Sequence, residues 1–206
     1  MGTKLIEETA MGGSGITALT ASAVHEGKSS ASDLDIARAL ASKEHRLALG
    51  LCARHHGTAL GRLCMALVGT QAEAEDLTQE TLLAAHDAFD EFRAEGSIRA
   101  WLFGIARKKC ARHLERRVRR ESRLRLVHDS TRIDGADEQF HRRQRAERAR
   151  AALEQIRPSE REAVVLRYAA ELSFREVGEA CGIDEAAARK RVSRALARLR
   201  DAIVKE

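Results

Sequence analysis

The sequence predicts an all-α protein made of two small helical domains joined by a flexible linker. Only one proline occurs among the 206 residues, and Ala, Leu, Arg and Glu, which form helices readily, are abundant. In several segments apolar residues recur at intervals of three and four, the period of a helix with one buried face. A chain of this length has room for one ordinary domain or two small ones, and a polar stretch divides the helical segments into two groups.

Residues 1–42 are predicted to form a disordered N-terminal extension. The segment is rich in Gly, Ser, Thr and Ala and shows no sustained apolar period. It therefore buries too little apolar surface to offset the entropy cost of ordering. Composition favours a passive tail over a regulatory element, and the segment lacks the apolar stretch of a signal peptide.

Residues 43–121 are predicted to form the first domain, which is built from three packed helices. The first helix begins near His45, breaks or bends near Gly57 and ends at Gly69, because glycine commonly terminates helices. Its spacing of apolar residues gives one buried face. That face consists of Leu60, Leu63, Cys64 and Leu67.

The second and third helices each begin at a capping residue. Thr70 and Glu73 have the Ser/Thr-x-x-Glu spacing of a capping box, and an apolar face then continues to about Phe92. Ser97 is placed to cap the third helix. Before the sequence becomes strongly basic, that helix carries a stripe of Ile98, Trp101, Leu102, Ile105 and Ala106.

Residues 122–147 are predicted to be the flexible linker, because they are polar, mixed in charge and without an apolar period. Residues 148–206 then form the second helical domain. Two further capping boxes, Ser159 to Glu162 and Ser173 to Glu176, indicate helix starts within this domain.

A short break at Gly182 separates the last two predicted helices. Glycine adopts positive φ without a Cβ clash, and Asp184 can accept hydrogen bonds from the open amides of a new helix. One face of the new helix is predicted to be buried, and it consists of Ala188, Val192, Ala195 and Leu199. The outward face carries small and positively charged side chains. This pattern is typical of a helix-turn-helix that reads a DNA major groove. A plain helical hairpin with a solvated basic face is the alternative.

Two charge fields of opposite sign are adjacent in the first domain. Residues 73–95 carry eight acidic side chains and one arginine, whereas residues 99–125 carry eleven basic side chains and two glutamates. Neighbouring helices of opposite charge sometimes only neutralise each other. Here, however, the acids extend around their helix rather than along one seam. The acidic surface favours a basic protein partner, and the basic surface favours nucleic acid.

Three segments of the chain resemble a known family. They read, in order, AEDLTQETLLAAHDAFDEF, GSIRAWLFGIARKKCARHLERR and LSFREVGEACGIDEAAARKRVSRALARLR. They are similar to regions 2 and 4 of the extracytoplasmic-function (ECF) subfamily of sigma-70 sigma factors, over about residues 45–200. By this resemblance residues 43–121 correspond to region 2 and residues 148–206 to region 4.

The resemblance implies a transcription initiation factor that has no catalytic activity alone and gives core RNA polymerase promoter recognition and strand opening. The polymerase β′ coiled coil, with the β subunit as a further partner, would be bound through Asp76, Gln79 and Glu80. The −10 element, duplex or melted, would be bound by Ser97, Ile98, Trp101, Arg107, Lys108 and Arg112. The −35 major groove would be bound by Arg189, Lys190, Arg191, Ser193 and Arg194. An anti-sigma protein that covers the polymerase-binding surfaces is also implied.

Some residues depart from the family pattern. Lys108 and Arg112 stand where the family often has Asn and Asp, which would alter a base pocket built on that Asn. The recognition helix begins with residues 184–188, DEAAA, instead of the family's Pro-x-Gly-Thr-Val, so the promoter sequence does not transfer. Trp101 lies on the apolar stripe, which favours core packing over direct base contact.

Other function classes find little support in the residues. Four cysteines without a Cys-x-x-Cys pair argue against a zinc knuckle or a disulfide framework and favour a reduced, cytoplasmic protein. Adjacent His55 and His56 point about 100° apart on a helix, so a metal site that includes Cys52 is disfavoured. No metal, cofactor or catalytic site is predicted, and no apolar run is long enough to cross a membrane.

Two rival functions stay open at this point. A stand-alone helix-turn-helix regulator would bind specific duplex DNA without polymerase, usually through a dimer whose surface the sequence does not locate. A metal-dependent enzyme built on the histidines would carry stoichiometric zinc. The net charge of +5 and the pI near 9.3 agree with a polyanionic partner, but are weak evidence alone.

Overall fold

The computed structural model describes residues 31–93, 96–124 and 151–204, except for the side chains of residues 121–124 and 202–204. Every regular element in this part of the chain is helical, which confirms the all-α prediction. The first domain contains α1 (Ala31–Ala41), α2 (His45–Val68), α3 (Gln71–Asp87), a 3-10 turn (Phe89–Glu91) and α4 (Ile98–Leu124). The second contains α5 (Pro158–Tyr168), α6 (Phe174–Cys181) and α7 (Glu185–Val204), and residues 151–154 are also helical.

Helix α1 lies within the segment that the sequence analysis assigned to a disordered extension. Ile36 is fully buried, Ala39 is 5% exposed, and the helix packs on α2 and α4. Asp33 is also buried, and its carboxylate lies 2.9 Å from Nε2 of His56 in α2. The prediction was wrong for residues 31–41, because a short apolar face and one buried polar pair hold this helix. Residues 1–30 lie outside the described part of the chain.

Helix α2 runs unbroken through Gly57, so the expected break is not present. One glycine costs a helix about 1 kcal/mol, which burial of Cys52, His56 and Leu60 in the same helix outweighs.

Gly69 ends α2 with a φ of 97°. The hydroxyl of Thr70 accepts from the backbone N–H of Glu73 at 3.4 Å, so the N-cap is confirmed. The Glu73 carboxylate accepts from the Thr70 hydroxyl at 2.8 Å and not from the Thr70 backbone N–H, so the full capping box is not formed. Helix α3 was expected to reach about Phe92 but ends at Asp87, and the 3-10 turn follows.

The first domain has its core where α2, α3 and α4 meet. The largest fully buried side chains there are Leu60, Leu63, Leu102 and Phe103, with Leu77 2% exposed. Cys64 of α2 and Cys110 of α4 also meet in this core as free thiols, with their Sγ atoms 3.7 Å apart. These cysteines act as small core residues, as free buried cysteines commonly do.

The second domain packs α5, α6 and α7 around Leu166, Leu172, Val177 and Val192. Its first helix does not begin as predicted. Pro158 takes the first position, for which its fixed φ is suited. The capping box from Ser159 to Glu162 is therefore not formed, and the carboxylate of Glu162 instead accepts a hydrogen bond from Arg107 of the first domain.

The two domains contact each other, chiefly through α4 and α6 and to a smaller extent through α2 and α5. Gly104 of α4 lies against the backbone of α6, since a Cβ at this position would be 3.4 Å from the carbonyl oxygen of Ala180. Within the predicted linker, residues 122–124 continue α4 and residues 125–147 lie outside the described part. The surfaces assigned to DNA and protein partners are thus positioned relative to one another by an α4–α6 contact.

Candidate nucleic-acid interface

Helices α6 and α7, with a tight turn between them, form the predicted helix-turn-helix. The hydroxyl of Ser173 accepts from the N–H of Glu176 at 3.2 Å, and the Glu176 carboxylate accepts from the N–H of Ser173 at 2.8 Å. This capping box is confirmed. Gly182 ends α6 with a φ of 69°. The carboxylate of Asp184 then caps α7 by accepting from the N–H of Ala187 at 2.7 Å.

Gly178 determines how closely the turn approaches α6. A Cβ added there would lie 2.7 Å from the carbonyl oxygen of Ile183, closer than atoms pack. The N–H of Ile183 also donates to the carbonyl of Gly178 at 2.9 Å. Gly178 is not among the predicted site residues, although a glycine inside a strong helical pattern indicates a packing reason or a close backbone approach.

The outward face of α7 is basic. Ala188, Val192 and Ala195 are buried and Leu199 is partly buried, so the predicted inward stripe is confirmed. Four of the five residues predicted to enter the groove are exposed: Arg189, Lys190, Ser193 and Arg194. The fifth, Arg191, is half-buried. Positive side chains on an exposed helix face are placed to reach phosphates and base edges without any unfolding.

Arg189 is exposed, but its guanidinium rests on an aromatic ring. The guanidinium carbon lies 4.4 Å from the centroid of Phe174, and that of Arg167 lies 4.9 Å from the same centroid. Arg189 also donates to Glu185 at 2.8 Å, one turn earlier in α7. Both contacts restrain this arginine, because cations are attracted to the face of an aromatic ring.

The residues predicted to bind the −10 element lie in different environments. Ile98 is 4% exposed and belongs to the core. Trp101 is partly buried, with its ring centroid 5.2 Å from that of Phe92, an environment that agrees with core packing. Lys108 and Arg112 are exposed on α4. The structure therefore does not bring all six residues to one accessible surface.

Ser97 and Arg107, the other two, bind groups of the second domain. The hydroxyl of Ser97 accepts from the N–H of Ala100 at 3.3 Å, which confirms its capping role, and donates to the Glu176 carboxylate at 3.2 Å. Arg107 donates to the Glu162 carboxylate at 2.8 Å. Both side chains are thus occupied by contacts that join the domains.

The exposed face of α3 carries the three residues predicted to bind polymerase, Asp76, Gln79 and Glu80. Leu83, one turn further along, is 61% exposed, and Asp87 continues the same face. Leu83 is not among the residues predicted to bind polymerase. The sequence could have indicated it, because Leu83 follows Asp76 by seven residues, or about two helical turns. This spacing places an apolar side chain next to acidic ones on the solvent side of the helix.

Two acids of α3 pair with bases of α4. Glu80 lies 3.2 Å from Nζ of Lys109, and Glu73 lies 2.9 Å from Nε2 of His113 and 3.5 Å from Arg117. Burial opposes the charged form of Glu73, but hydrogen bonds from its N-cap residue and from His113, with the positive charges nearby, outweigh burial and lower its pKa. The two charge fields therefore neutralise each other in part along the α3–α4 seam.

A groove of about 750 Å³ lies between α2 and α3, next to the acidic face. Gln79 lines it together with small residues such as Gly57, Gly61 and Ala74. Leu153 and Ala169 of the second domain also line this groove. Residues of the second domain therefore lie beside the predicted polymerase contact.

His55 and His56 diverge, as predicted. His55 is exposed, whereas His56 is buried against Asp33. Across residues 31–93, 96–124 and 151–204, no group of three His, Cys, Asp or Glu side chains is arranged to hold a metal ion. In the same ranges, no helix combines the length and apolar character needed to span a bilayer.

Comparison with known proteins decides the family. The family model described as Sigma-70 region 2 matches residues 52–120, and that described as Sigma-70, region 4 matches residues 146–199. The ECF RNA polymerase sigma factor SigC of Mycobacterium tuberculosis (strain CDC 1551 / Oshkosh) is 31% identical over 140 residues, which cover 68% of this chain and 73% of SigC. The chain belongs to the ECF sigma factors.

A second relative of this ECF sigma factor is longer than the chain. The ECF RNA polymerase sigma factor SigE of Mycolicibacterium smegmatis is 33% identical over 158 residues, which cover 74% of this chain but 60% of SigE. The residues matched by the two family models place most of α2–α4 in region 2 and α5–α7 in region 4.

Two solved structures resemble the fold of this ECF sigma factor. CnrH in complex with the cytosolic domain of CnrY has a TM-score of 0.64 and 25% identity, and the match covers 85% of this chain and 99% of CnrH. The sigma factor RpoE from Bartonella quintana, in complex with the anti-sigma factor NepR, has a TM-score of 0.55 and 26% identity, with 80% and 97% covered.

Proposed function

We propose that this ECF sigma factor binds core RNA polymerase, recognises the −35 and −10 promoter elements and promotes strand opening. The observation that carries the proposal is an exposed acidic face on α3 and an exposed basic face on α7 within one chain. The two faces fit partners of opposite charge, a basic protein surface and a DNA groove. The factor has no catalytic activity or cofactor of its own and acts in the cytoplasm, with polymerase.

The acidic face of α3 is the proposed polymerase contact, with the β′ coiled coil as its partner and the β subunit as a further one. Asp76 and Gln79 carry the contact with Glu80, and the exposed Leu83 adds an apolar anchor. Apolar anchors inside a charged rim commonly dominate the energy of such interfaces. Asp76 is the more informative residue to mutate, because Glu80 pairs with Lys109 and its substitution would also break that ion pair.

The basic faces of α7 and α4 are the proposed DNA contacts. In the −35 major groove we place Arg189, Lys190, Arg191, Ser193 and Arg194. At the −10 element we assign phosphate contacts to the exposed Lys108 and Arg112, and contacts to Ser97 and Arg107 once region 4 has moved away. Ile98 and Trp101 act from the packed side of α4, where they hold the helix that presents these residues.

The test is single-round transcription with sigma-free bacterial core polymerase on a pool of promoter fragments from the protein's own genome. Wild type is expected to give promoter-specific transcripts, and Asp76→Lys is expected to lose most of them. Asp201→Lys, an exposed acid of α7 with the same charge change, is the matched control and should stay active. If no fragment is transcribed while the protein alone retains specific duplexes on a filter, a stand-alone regulator is the correct function.

An anti-sigma protein is the further partner that we propose. The support is that CnrH and the Bartonella quintana sigma factor were each solved with a bound partner, CnrY and NepR. A candidate from the same genome that binds this chain is expected to prevent it from binding core polymerase. Simultaneous binding of the candidate and polymerase would contradict this assignment.

A further inference from the structure

Two of the four cysteines meet in the core of the first domain. Cys64 of α2 and Cys110 of α4 are fully buried free thiols, and the Cys110 thiol donates to the Cys64 sulfur with 3.7 Å between the Sγ atoms. Disulfide sulfurs are about 2.05 Å apart, so a small approach of these two side chains would allow a bond. Because the residues are 46 positions apart in the sequence, that bond would join two helices.

The two thiols differ in how readily they lose a proton. The hydrogen bond from Cys110 lowers the pKa of Cys64, and this effect, which the Thr78 hydroxyl reinforces, outweighs burial. The hydrogen bond to Cys64 and then burial raise the pKa of Cys110, so this thiol keeps its proton. A sulfur that favours the thiolate beside one that stays protonated suits a redox pair, in which the first attacks an oxidant and the second resolves the product.

The groove between α2 and α3 brings solvent close to Cys64. Gly61, Met65 and Thr78 line this groove of about 750 Å³. Thr78 also forms a hydrogen bond with Cys64, and Gly61, one turn before Cys64, has no side chain that could cover it. A small uncharged oxidant in the groove is therefore separated from the Cys64 sulfur by the Thr78 side chain.

The other two cysteines lack this arrangement. Burial and the nearby charge of Asp33 raise the pKa of Cys52 to about 11. Burial also raises the pKa of Cys181, which is partly exposed. In the part of the chain that the structure describes, neither of them contacts a second thiol. Cys52 and Cys181 are therefore internal controls for the reactivity of the pair.

We propose that Cys64 and Cys110 form a redox site that hydrogen peroxide oxidises to a disulfide between α2 and α4. The Cys64 thiolate attacks one peroxide oxygen, so an S–O bond forms, the O–O bond breaks, and the departing hydroxide takes up the proton that Cys64 released. The Cys110 sulfur then attacks the Cys64 sulfur. The S–S bond forms, the S–O bond breaks, and the second hydroxide leaves as water with the Cys110 proton. Two thiols are oxidised while one peroxide is reduced to two waters, and a dithiol reductant reverses the reaction.

The disulfide acts on the helix that carries the proposed −10 contacts, a consequence that rests on the proposed function. Lys108 and Arg112 lie two residues before and two residues after Cys110 on α4. A displacement of Cys110 toward α2 therefore moves both of these exposed cations, because packed helices shift as units. The oxidised chain is expected to open promoters less well than the reduced chain.

The chemical test uses the full chain, folded and without polymerase. Wild type is treated with hydrogen peroxide, denatured and alkylated at its free thiols, and its non-reduced peptides are identified by mass spectrometry. We expect a peptide pair joined through Cys64 and Cys110 that dithiothreitol separates, with Cys52 and Cys181 alkylated. Cys52→Ala with Cys181→Ala is the control variant and should form the same disulfide. If no thiols are lost, or if bonds to Cys52 or Cys181 form equally, the redox site is wrong.

The functional test adds the oxidised chain, freed of peroxide by gel filtration, to core polymerase without reductant. Permanganate footprinting of a promoter measures strand opening, which wild type is expected to lose for the most part on oxidation and to regain with dithiothreitol. Cys64→Ala lacks the attacking sulfur, so its opening should be the same with and without peroxide treatment. Full opening by wild type that carries the disulfide would overturn the effect on α4. If reduced wild type supports no transcription although the disulfide forms, the proposed function fails and the redox site stands.

Discussion

Asp33 and His56 lie 2.9 Å apart with both side chains 7% exposed, and they join α1 to α2. Buried polar groups of this kind cost about 1–3 kcal/mol when their partner is removed. Helix α1 is therefore part of the stable first domain, although it precedes the residues that match the region 2 family model. The chain upstream of region 2 contributes to folding and is not wholly a passive tail.

Asp33→Ala is expected to lower the free energy of unfolding of the first domain by about 1–3 kcal/mol, because it leaves His56 buried without this partner. Urea denaturation followed by Trp101 fluorescence measures this domain selectively, since Trp101 is the only tryptophan. Asp35→Ala is the control, as Asp35 is exposed in the same helix and bonds Arg38 at 3.0 Å. It should cost less than about 0.5 kcal/mol, and equal losses for both variants would refute a role for the buried pair.

Gly178→Ala is expected to destabilise the helix-turn-helix by about 1–3 kcal/mol, because the added methyl would overlap the Ile183 carbonyl. Gly57→Ala in α2 is the matched control, since nothing lies within 4 Å of a Cβ there. That substitution should be neutral or stabilising by up to about 1 kcal/mol. Thermal unfolding followed by far-UV circular dichroism compares the two, and an unchanged transition for Gly178→Ala would mean that the turn relaxes freely.

The pH dependence of stability should include a contribution from Glu73. Because the pKa of this carboxyl is lower in the folded chain than its usual value of 4.5, the unfolded chain binds protons more readily. The stabilisation is thus fully present above the usual value and is lost as the pH falls through the folded pKa. Wild type should lose more stability than Glu73→Gln between about pH 6 and pH 3 in urea titrations; parallel curves would exclude this contribution.

Lys190→Ala should weaken promoter binding by the polymerase complex and reduce its salt dependence. A lysine that neutralises one phosphate contributes about one to the slope of log affinity against log salt concentration. Filter binding over a range of salt concentrations measures that slope. Arg54→Ala removes an exposed positive charge from α2 and is the control, whose slope should match wild type. A Lys190→Ala slope equal to wild type would place this residue outside the DNA contact.

Features set by local chemistry were predictable from the sequence. Gly182 and Asp184 fix the turn within the helix-turn-helix, because positive φ and capping hydrogen bonds depend on neighbours a few residues away. The caps at Thr70, Ser97 and Ser173 were found for the same reason. Near Pro158 the sequence contains two signals for a helix start, the proline itself and the capping box that begins at Ser159. The helix begins with Pro158 at its first position, so Ser159 does not cap it.

Features set by tertiary packing were not predictable from a local pattern. The hydrogen bond from Ser97 to Glu179 joins residues 82 positions apart, and no periodicity reports such a pairing. The same holds for α1, whose few buried residues gain their partners only from α2 and α4. The acids of α3 point to solvent or to α4 according to the rotation of the helix, which its buried residues set. The composition gives the number of charged side chains but not the direction in which each one points.

The ring of Phe174 has a consequence for the mobility of α7. An arginine that is immobilised on binding gives up about 2 kcal/mol of rotamer freedom. Arg189 has already lost part of that rotamer freedom in the unbound chain, because its guanidinium lies 4.4 Å from the Phe174 centroid and donates a hydrogen bond to Glu185. Lys190 and Arg194 have no comparable restraint among the described contacts. In the proposed −35 contact, α7 therefore combines one pre-ordered cation, which would favour a single register in the groove, with unrestrained ones that would adjust to the phosphates.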